Sequence, residues 1–293
     1  MAADTGISRF EHQHPLVQTM KEEDTPVVRA LVQTLMDHFE RQTCLLAICP
    51  NSRAVTQAAL RAAQEANAPL LLTSTLNQVD RDGGYTGWTH DELIDFLDQE
   101  AERLGVDVPI LPCLDHGGPW LKDRHVREDY SFEETMDAVK RSLESCIDAG
   151  YELLHIDPTV DRRTPTGEPS SIDWVVERTL ELIAHAEQYR REQGRPPISY
   201  EVGTEEVHGG LADLEKFDRF LDGLDAGLQH RGLDAARPCF VVGKVGTDLD
   251  TSYFEPDTAR DLTRRTKPFG ALVKGHYTDY VDNPEDYPLA GMG

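Results

Sequence analysis

The stretch VPILPCLDHGGP, residues 108–119, changes character at a single point. Residues 108–114 form a short apolar run. A carboxylate and an imidazole follow, then two glycines and a proline that loosen and break the backbone. A run of that length and composition suits a strand buried on both faces. The same transition recurs along the chain. Residues 69–75 run into Asn77-Gln78-Val79-Asp80, residues 151–156 (with His155) into Asp157, and residues 198–202 past Glu201 into Glu205. Residues 239–242 lead to Lys244 and Asp248, and residues 269–273 to Lys274, His276 and Asp279. A further apolar run at 45–49 precedes them all.

Helical signals fill the intervals. Thr25 followed by Pro26 reads as an N-cap and first helical position, and Leu31, Leu35 and Phe39 then mark one buried face. Asn51 or Ser52 caps an Ala-rich helix to about residue 66. Thr89 with Glu92, and Ser131 with Glu134, have capping-box spacing, and their helices stop at Gly105 and Gly150. Another helix spans roughly 171–193. Seven strand-then-helix units predict a parallel sheet. No GxGxxG follows the first strand and no GxxxxGK[ST] occurs, which argues against a nucleotide-binding doubly wound sheet. A closed barrel gathers strand ends into one mouth, where the chemically capable residues stand here. The expected fold is therefore an α/β TIM (β/α)8-type barrel lacking its eighth unit. One domain over 1–293 is expected, with 1–43 as N-terminal extension and helix.

The 293 residues are 39% hydrophobic and carry a formal charge of −24, so a real core is expected and disorder is not. Duplex DNA and anionic lipid would be repelled, so neither nucleic acid nor membrane is an expected partner. No stretch approaches the roughly 18 apolar residues of a membrane span, and the N-terminus lacks a signal-peptide pattern. Seven lysines carry little of the positive charge, and acid is spread along the chain, as suits solubility at high salt or a host composition bias. Five cysteines without a CxxC pair read as reduced, mostly buried thiols, so the expected location is cytoplasmic.

Read alone, Asp115-His116 fits a cap of the turn that follows. Together with His276 on strand seven and Glu205 beyond strand five, it offers imidazole and carboxylate ligands suited to a divalent metal, zinc or manganese. Glu201 and Glu205 share strand parity. Asp115, Asp157 and Glu205 are the candidate acid–base groups. His155 reads as a satisfied core histidine. The Gly-rich loop from Asn77 can fold over a mouth and supply amide donors, which makes Asn77 and Gln78 candidate substrate contacts. Lys244, Lys274 and Asp279 complete that set. No GxSxG or nucleophilic cysteine context is present.

As a set, NQVDRDGGYTGWT (77–89), DHGGP (115–119), HID (155–157), GTEEVHGG (203–210) and HYTDY (276–280) resemble the GatZ/KbaZ family. That family is described as the non-catalytic subunit of class II tagatose-bisphosphate aldolase. Order and spacing agree over roughly residues 44–285. The resemblance implies a TIM barrel related to metal-dependent class II aldolases, acting in ketose-phosphate metabolism. Some relatives are thought to invert C4 of a ketose or its phosphate by retro-aldol cleavage and re-addition. Carried over, Asp115 and His116 match the strand-three pair, Glu205 the Glu of the GTE motif, and His276 the His of the last motif. The sequence departs from the family at Glu206 and His208, at Lys244 in place of Gln, and at Asp248 in place of Glu. It is also shorter than typical members, which leaves phosphate binding open. The expectation is a metal-dependent 4-epimerase or aldolase acting on a sugar or sugar phosphate. The alternative is an accessory subunit partnered by a class II aldolase, with self-association also expected.

Overall fold

Short β-branched and leucine-rich runs become strands, and the capped amphipathic stretches between them become helices. The computed structural model describes residues 14–38, 43–164, 170–203, 211–248, 251 and 253–293. Among these residues the strands are β1 (Ala47–Ile48), β2 (Leu70–Thr75), β3 (Ile110–Gly117), β4 (Leu153–Ile156), β5 (Ser199–Gly203), β6 (Phe240–Val242) and β7 (Leu272–Lys274). They make a seven-stranded sheet whose order is the order of the chain, the α/β arrangement expected from the sequence. The helices are α1 (Pro15–Glu22), α2 (Val27–His38), α3 (Arg53–Ala66), α4 (His90–Leu104), α5 (Asp123–Arg127), α6 (Phe132–Ala149), α7 (Ile172–Glu192), α8 (Leu214–His230), α9 (Pro256–Phe269) and α10 (Asp286–Leu289).

Local signals act as read. Ser52 caps α3, complete capping boxes open α4 at Thr89–Glu92 and α6 at Ser131–Glu134, and left-handed Gly105 and Gly150 end those helices. The helix after Thr25-Pro26 buries Val27, Val28 and Val32, whereas Leu31 and Leu35 of the expected face are only partly buried and Phe39 lies outside the described residues. Three further differences stand out. Helix α1 precedes the helix that follows Thr25-Pro26, β1 shrinks to two residues, and β3 continues through Asp115, His116 and Gly117. The extension of β3 follows from pairing, because the parallel register with β2 runs on to Thr75↔Asp115.

Contacts divide the chain into two compact units. The first comprises Met1–Val28, Leu45–His155 and His185–Ser199; the second comprises Arg29–Cys44, Ile156–Ala184 and Tyr200–Gly293. In the first, Leu71, Leu72, Leu111, Leu114 and Leu154 of the strands and Leu60, Leu93, Leu97, Val139 and Leu143 of α3, α4 and α6 are all at most 2% exposed. Each such side chain contributes about 1.5–3 kcal/mol by leaving water. Lys21 of α1 makes an ion pair with Glu152, just before β4, and both side chains are nearly buried.

The second unit pairs β5, β6 and β7 in parallel, with Val202↔Val241↔Val273 in register and fully buried. Phe217, Phe220 and Leu224 of α8 and Leu262 of α9 pack there, and Phe254 stacks on Tyr287 with centroids 4.0 Å apart. Gly227 admits Leu180 so closely that a Cβ would lie 2.1 Å from its Cδ1. None of the five cysteines is disulfide-bonded, and three are buried. No helix among the described residues is long and apolar enough to cross a membrane.

Candidate functional site

In the first unit, β3 carries Asp115 and His116 just before its last residue, Gly117, and β4 carries His155 beside them. Asp115 Oδ1 lies 3.2 Å from His155 Nδ1, and Asp115 Oδ2 lies 3.7 Å from His116 Nε2. The two imidazoles are 5.0 Å apart between centroids. Each residue offers a donor atom within 4.8 Å of the others. Two imidazoles and one carboxylate are the ligand chemistry of zinc, manganese and related divalent ions, so the residues fit a metal.

Backbone geometry holds this cluster. His116 sits at φ 52, a left-handed conformation that a bulky L-residue adopts at a cost of roughly 1–2 kcal/mol. Its N–H donates to His155 Nδ1 at 3.1 Å, and its carbonyl accepts from Gly118 N at 3.1 Å. Gly117 has no room for a side chain, because a Cβ would lie 2.7 Å from the His155 carbonyl oxygen and 2.7 Å from Leu114 Cδ2. The His155 Nδ1 contacts are mutually exclusive for a neutral ring. A proton on Nδ1 would point to Asp115 and leave the Nε2 lone pair for a metal; without it, Nδ1 accepts the His116 N–H.

The loop after β2 turns its polar groups inward. Asn77 Nδ2 donates to the Leu121 carbonyl and to Asp123 Oδ1, each at 3.2 Å, and Asn77 Oδ1 accepts from Asp123 N at 2.8 Å. Gln78 is buried, and its Oε1 accepts from Thr75 N at 3.0 Å. Both candidate substrate contacts are thus engaged in the loop's own bonds. Lys122 is buried between Asp80 and Asp82, Ser142 Oγ donates to Asp80 at 2.7 Å, and Arg124 donates to Asp82 at 2.7 Å. Burial pushes Asp82 upward, but the hydrogen bonds and charge of Lys122, with Arg124, outweigh it and hold the carboxyl below its ordinary 3.8.

Two histidines beside this cluster stay neutral. Burial pushes His90 down to about 4 against the opposing charge of Asp80, and burial with the Lys122 charge takes His125 to about 4. The unfolded chain protonates both near pH 6.5 and the folded protein near pH 4, so the unfolded state binds more protons between those values. Stability is expected to fall as pH drops through that window, by at most roughly 3 kcal/mol for His90. Thermal midpoints from pH 7 to 4.5 check this, and H90Q combined with H125Q should flatten the profile.

In the second unit, Lys274 Nζ donates to both carboxylate oxygens of Glu201, at 2.8 and 2.9 Å, with side chains 12% and 0% exposed. His276 Nε2 lies 3.9 Å from Glu201 Oε1, and the His276 carbonyl accepts from Thr247 Oγ1 at 2.7 Å. Asp157 is buried and accepts from the Thr159 hydroxyl and N–H. The Lys244 carbonyl accepts from Ala212 N at 3.1 Å, and Asp279 is exposed. Glu205, with Glu206 and His208, lies outside the described residues.

The structure brings Asp115 and His116 together and adds His155, which sequence reading places in the core. His155 is indeed fully buried, yet its ring faces the pair. Its signal was the offset of two from Asp157 on a strand end. Glu201 was marked by its strand parity with Glu205 and Lys122 by no motif; a buried partner for each became visible through pairing across strands and loops.

The model of the D-tagatose-1,6-bisphosphate aldolase subunit GatZ/KbaZ-like family matches residues 31–287. A probable tagatose 6-phosphate kinase from Sinorhizobium meliloti 1021 is similar in structure, with TM-score 0.70 and 23% identity over 85% of this chain. This chain spans 62% of that one. A fructose-bisphosphate aldolase from Campylobacter jejuni shares the fold at TM-score 0.51 and 9% identity, over 94% of this chain and 72% of that one.

Proposed function

Because the chain belongs to the D-tagatose-1,6-bisphosphate aldolase subunit GatZ/KbaZ-like family, we propose that it is a metal-dependent protein of ketose metabolism acting by retro-aldol chemistry. The fold we propose is the (β/α)8-type barrel, of which the seven strands are part. The observation that carries the reading is the convergence of Asp115, His116 and His155 at adjoining strand ends, beside a backbone held in the left-handed region. His116 and His155 would hold a divalent ion with Asp115. Glu205 and His276 are proposed as ligands on the family motifs alone.

When bound, such an ion supplies Lewis acidity toward the carbonyl and hydroxyl oxygens of a ketose. The chain's own groups do the rest. Asp115, 3.2 Å from His155 Nδ1, is proposed with Asp157 as the carboxylate that takes the C4 hydroxyl proton while the C3–C4 bond breaks. Returning that proton on re-addition to the other aldehyde face yields the 4-epimer; release of the aldehyde, with a proton delivered to C3 of the remaining fragment, yields aldolase products. The substrate proposed is a ketose or ketose phosphate. Lys244 is a proposed contact for it, whereas Lys274 first meets Glu201.

The word subunit in the family description favours a second reading, an accessory chain that stabilises a separate class II aldolase. One experiment separates the two. Protein purified without chelator is analysed for metal, then incubated with Mn²⁺ or Zn²⁺ and a panel of ketoses and their phosphates, with products followed by NMR. Metal-dependent C4 inversion or cleavage is expected. Absence of both metal and turnover, with a stable complex on co-expression with a class II tagatose-bisphosphate aldolase, would establish the accessory role instead.

A further inference from the structure

The left-handed turn at His116 has a support six residues further along the chain. We propose that Lys122 is a positioning residue: gripped by Asp80 and Asp82, it fuses the loops after β2 and β3 into one rigid piece that holds His116 in place. The inference is conformational, and its consequence for metal binding rests on the reading of Asp115, His116 and His155 as ligands.

The grip is built from groups that a surface turn would leave in water. The Lys122 and Asp80 side chains are 9% and 3% exposed, and Asp80 also accepts from Ser142 Oγ at 2.7 Å and Arg81 N at 2.8 Å. An ammonium and a carboxylate so placed must stay paired, because separation would strand a charge in a poorly hydrated site. Arg124 adds a second cation on Asp82, so two lysine and arginine charges meet two aspartates. Arg124 is shared with Glu128, so the loops are coupled through a network in which each cation meets two carboxylates.

Between Lys122 and His116 little slack remains. The Leu121 carbonyl is held by Asn77 at 3.2 Å, and Trp120 donates through its backbone to Thr135 Oγ1 and through its ring to the Tyr130 carbonyl, each at 3.0 Å. Trp120 is itself left-handed at φ 57. Gly118 N then bonds back to the His116 carbonyl. Two non-glycine residues in that conformation persist where the surroundings over-determine them. Asn77, Asp80 and Lys122 provide that determination from one side, and His155 from the other.

The test is amide hydrogen exchange of the metal-free protein, wild type against K122M, K122R and the milder D82N, in which the rim carboxylate, its side chain 28% exposed, becomes an amide. In K122M, exchange of residues 77–88 and 115–121 is expected to rise together by at least about tenfold while 110–113 keeps its protection. D82N should show the same pattern more weakly, and K122R should restore part of it. Loosening confined to 120–124, or spread evenly through the first unit, overturns the inference. Co²⁺ titration with d–d spectra supplies the functional readout. In K122M affinity should fall about 10–100-fold, with altered bands. Unchanged affinity and spectrum in a protein whose loops have loosened would overturn the positioning of His116. If the wild type binds no Co²⁺, the metal reading fails, and the exchange pattern still decides the lock.

Discussion

His116→Ala is expected to lower Zn²⁺ or Mn²⁺ affinity by at least about 100-fold and to abolish ketose turnover, with little change in thermal stability. The imidazole is partly exposed at a strand end, so its removal creates no core cavity. The backbone N–H that meets His155 Nδ1 remains in the variant. His116→Gly sharpens the argument. It removes the same ligand but also relieves the left-handed strain at φ 52, so it should be about 1 kcal/mol more stable than the alanine variant while binding no more metal. A stability order opposite to the affinity order would identify strain retained for function. Isothermal titration with each metal, sugar turnover by NMR and thermal midpoints measure the three quantities. An alanine variant that keeps wild-type affinity and turnover would remove His116 from the metal centre.

The second large effect lies in the other unit. Lys274→Met leaves the Glu201 carboxylate, wholly buried, without the ammonium that meets both of its oxygens. Breaking a buried pair from one side costs about 3–5 kcal/mol, whereas replacing both partners is often nearly neutral. K274M should therefore unfold roughly 10 °C earlier, taking about 2–4 °C per kcal/mol. The double variant K274M/E201Q should recover most of that loss. The coupling between the two positions is the quantity to measure, by denaturant titration of all four proteins. A single-variant loss below about 1 kcal/mol would mean that this pair contributes no more than an exposed one.

The elements were legible because their signals are local. Thr89–Glu92 and Ser131–Glu134 announce helix starts by side-chain spacing, and Gly105 and Gly150 announce ends, without reference to the rest of the chain. The two-residue β1 and the extra turns of α1 were not, since both depend on what packs against them. Of the site, Asp115 and His116 were legible as polar groups breaking an apolar run. His155 was not: an imidazole flanked by leucine and isoleucine looks like core until β4 is laid beside β3. Asn77 and Gln78 read as amides offered to a ligand, whereas their bonds to Leu121 and Asp123 and from Thr75 N to Gln78 Oε1 became visible only in the folded loops. Glu201 lies inside an apolar strand, and its meaning depends on Lys274 seventy-three residues later. Pairing across such distances is the part of the fold that local spacing does not encode.

The scarcity of lysine has a practical side. Of seven lysines, Lys122 and Lys274 have side chains 9% and 12% exposed and are held by carboxylates. Lys267 stands in the open on α9. An amine-acylating reagent in slight excess should therefore spare the first two while it labels the third. Lys122 belongs to the first compact unit and Lys274 to the second. Lys21, 10% exposed and paired with Glu152, is a second concealed amine of the first unit, and the order in which Lys21 and Lys122 on one side and Lys274 on the other become acylated under mild denaturant reports which unit opens first.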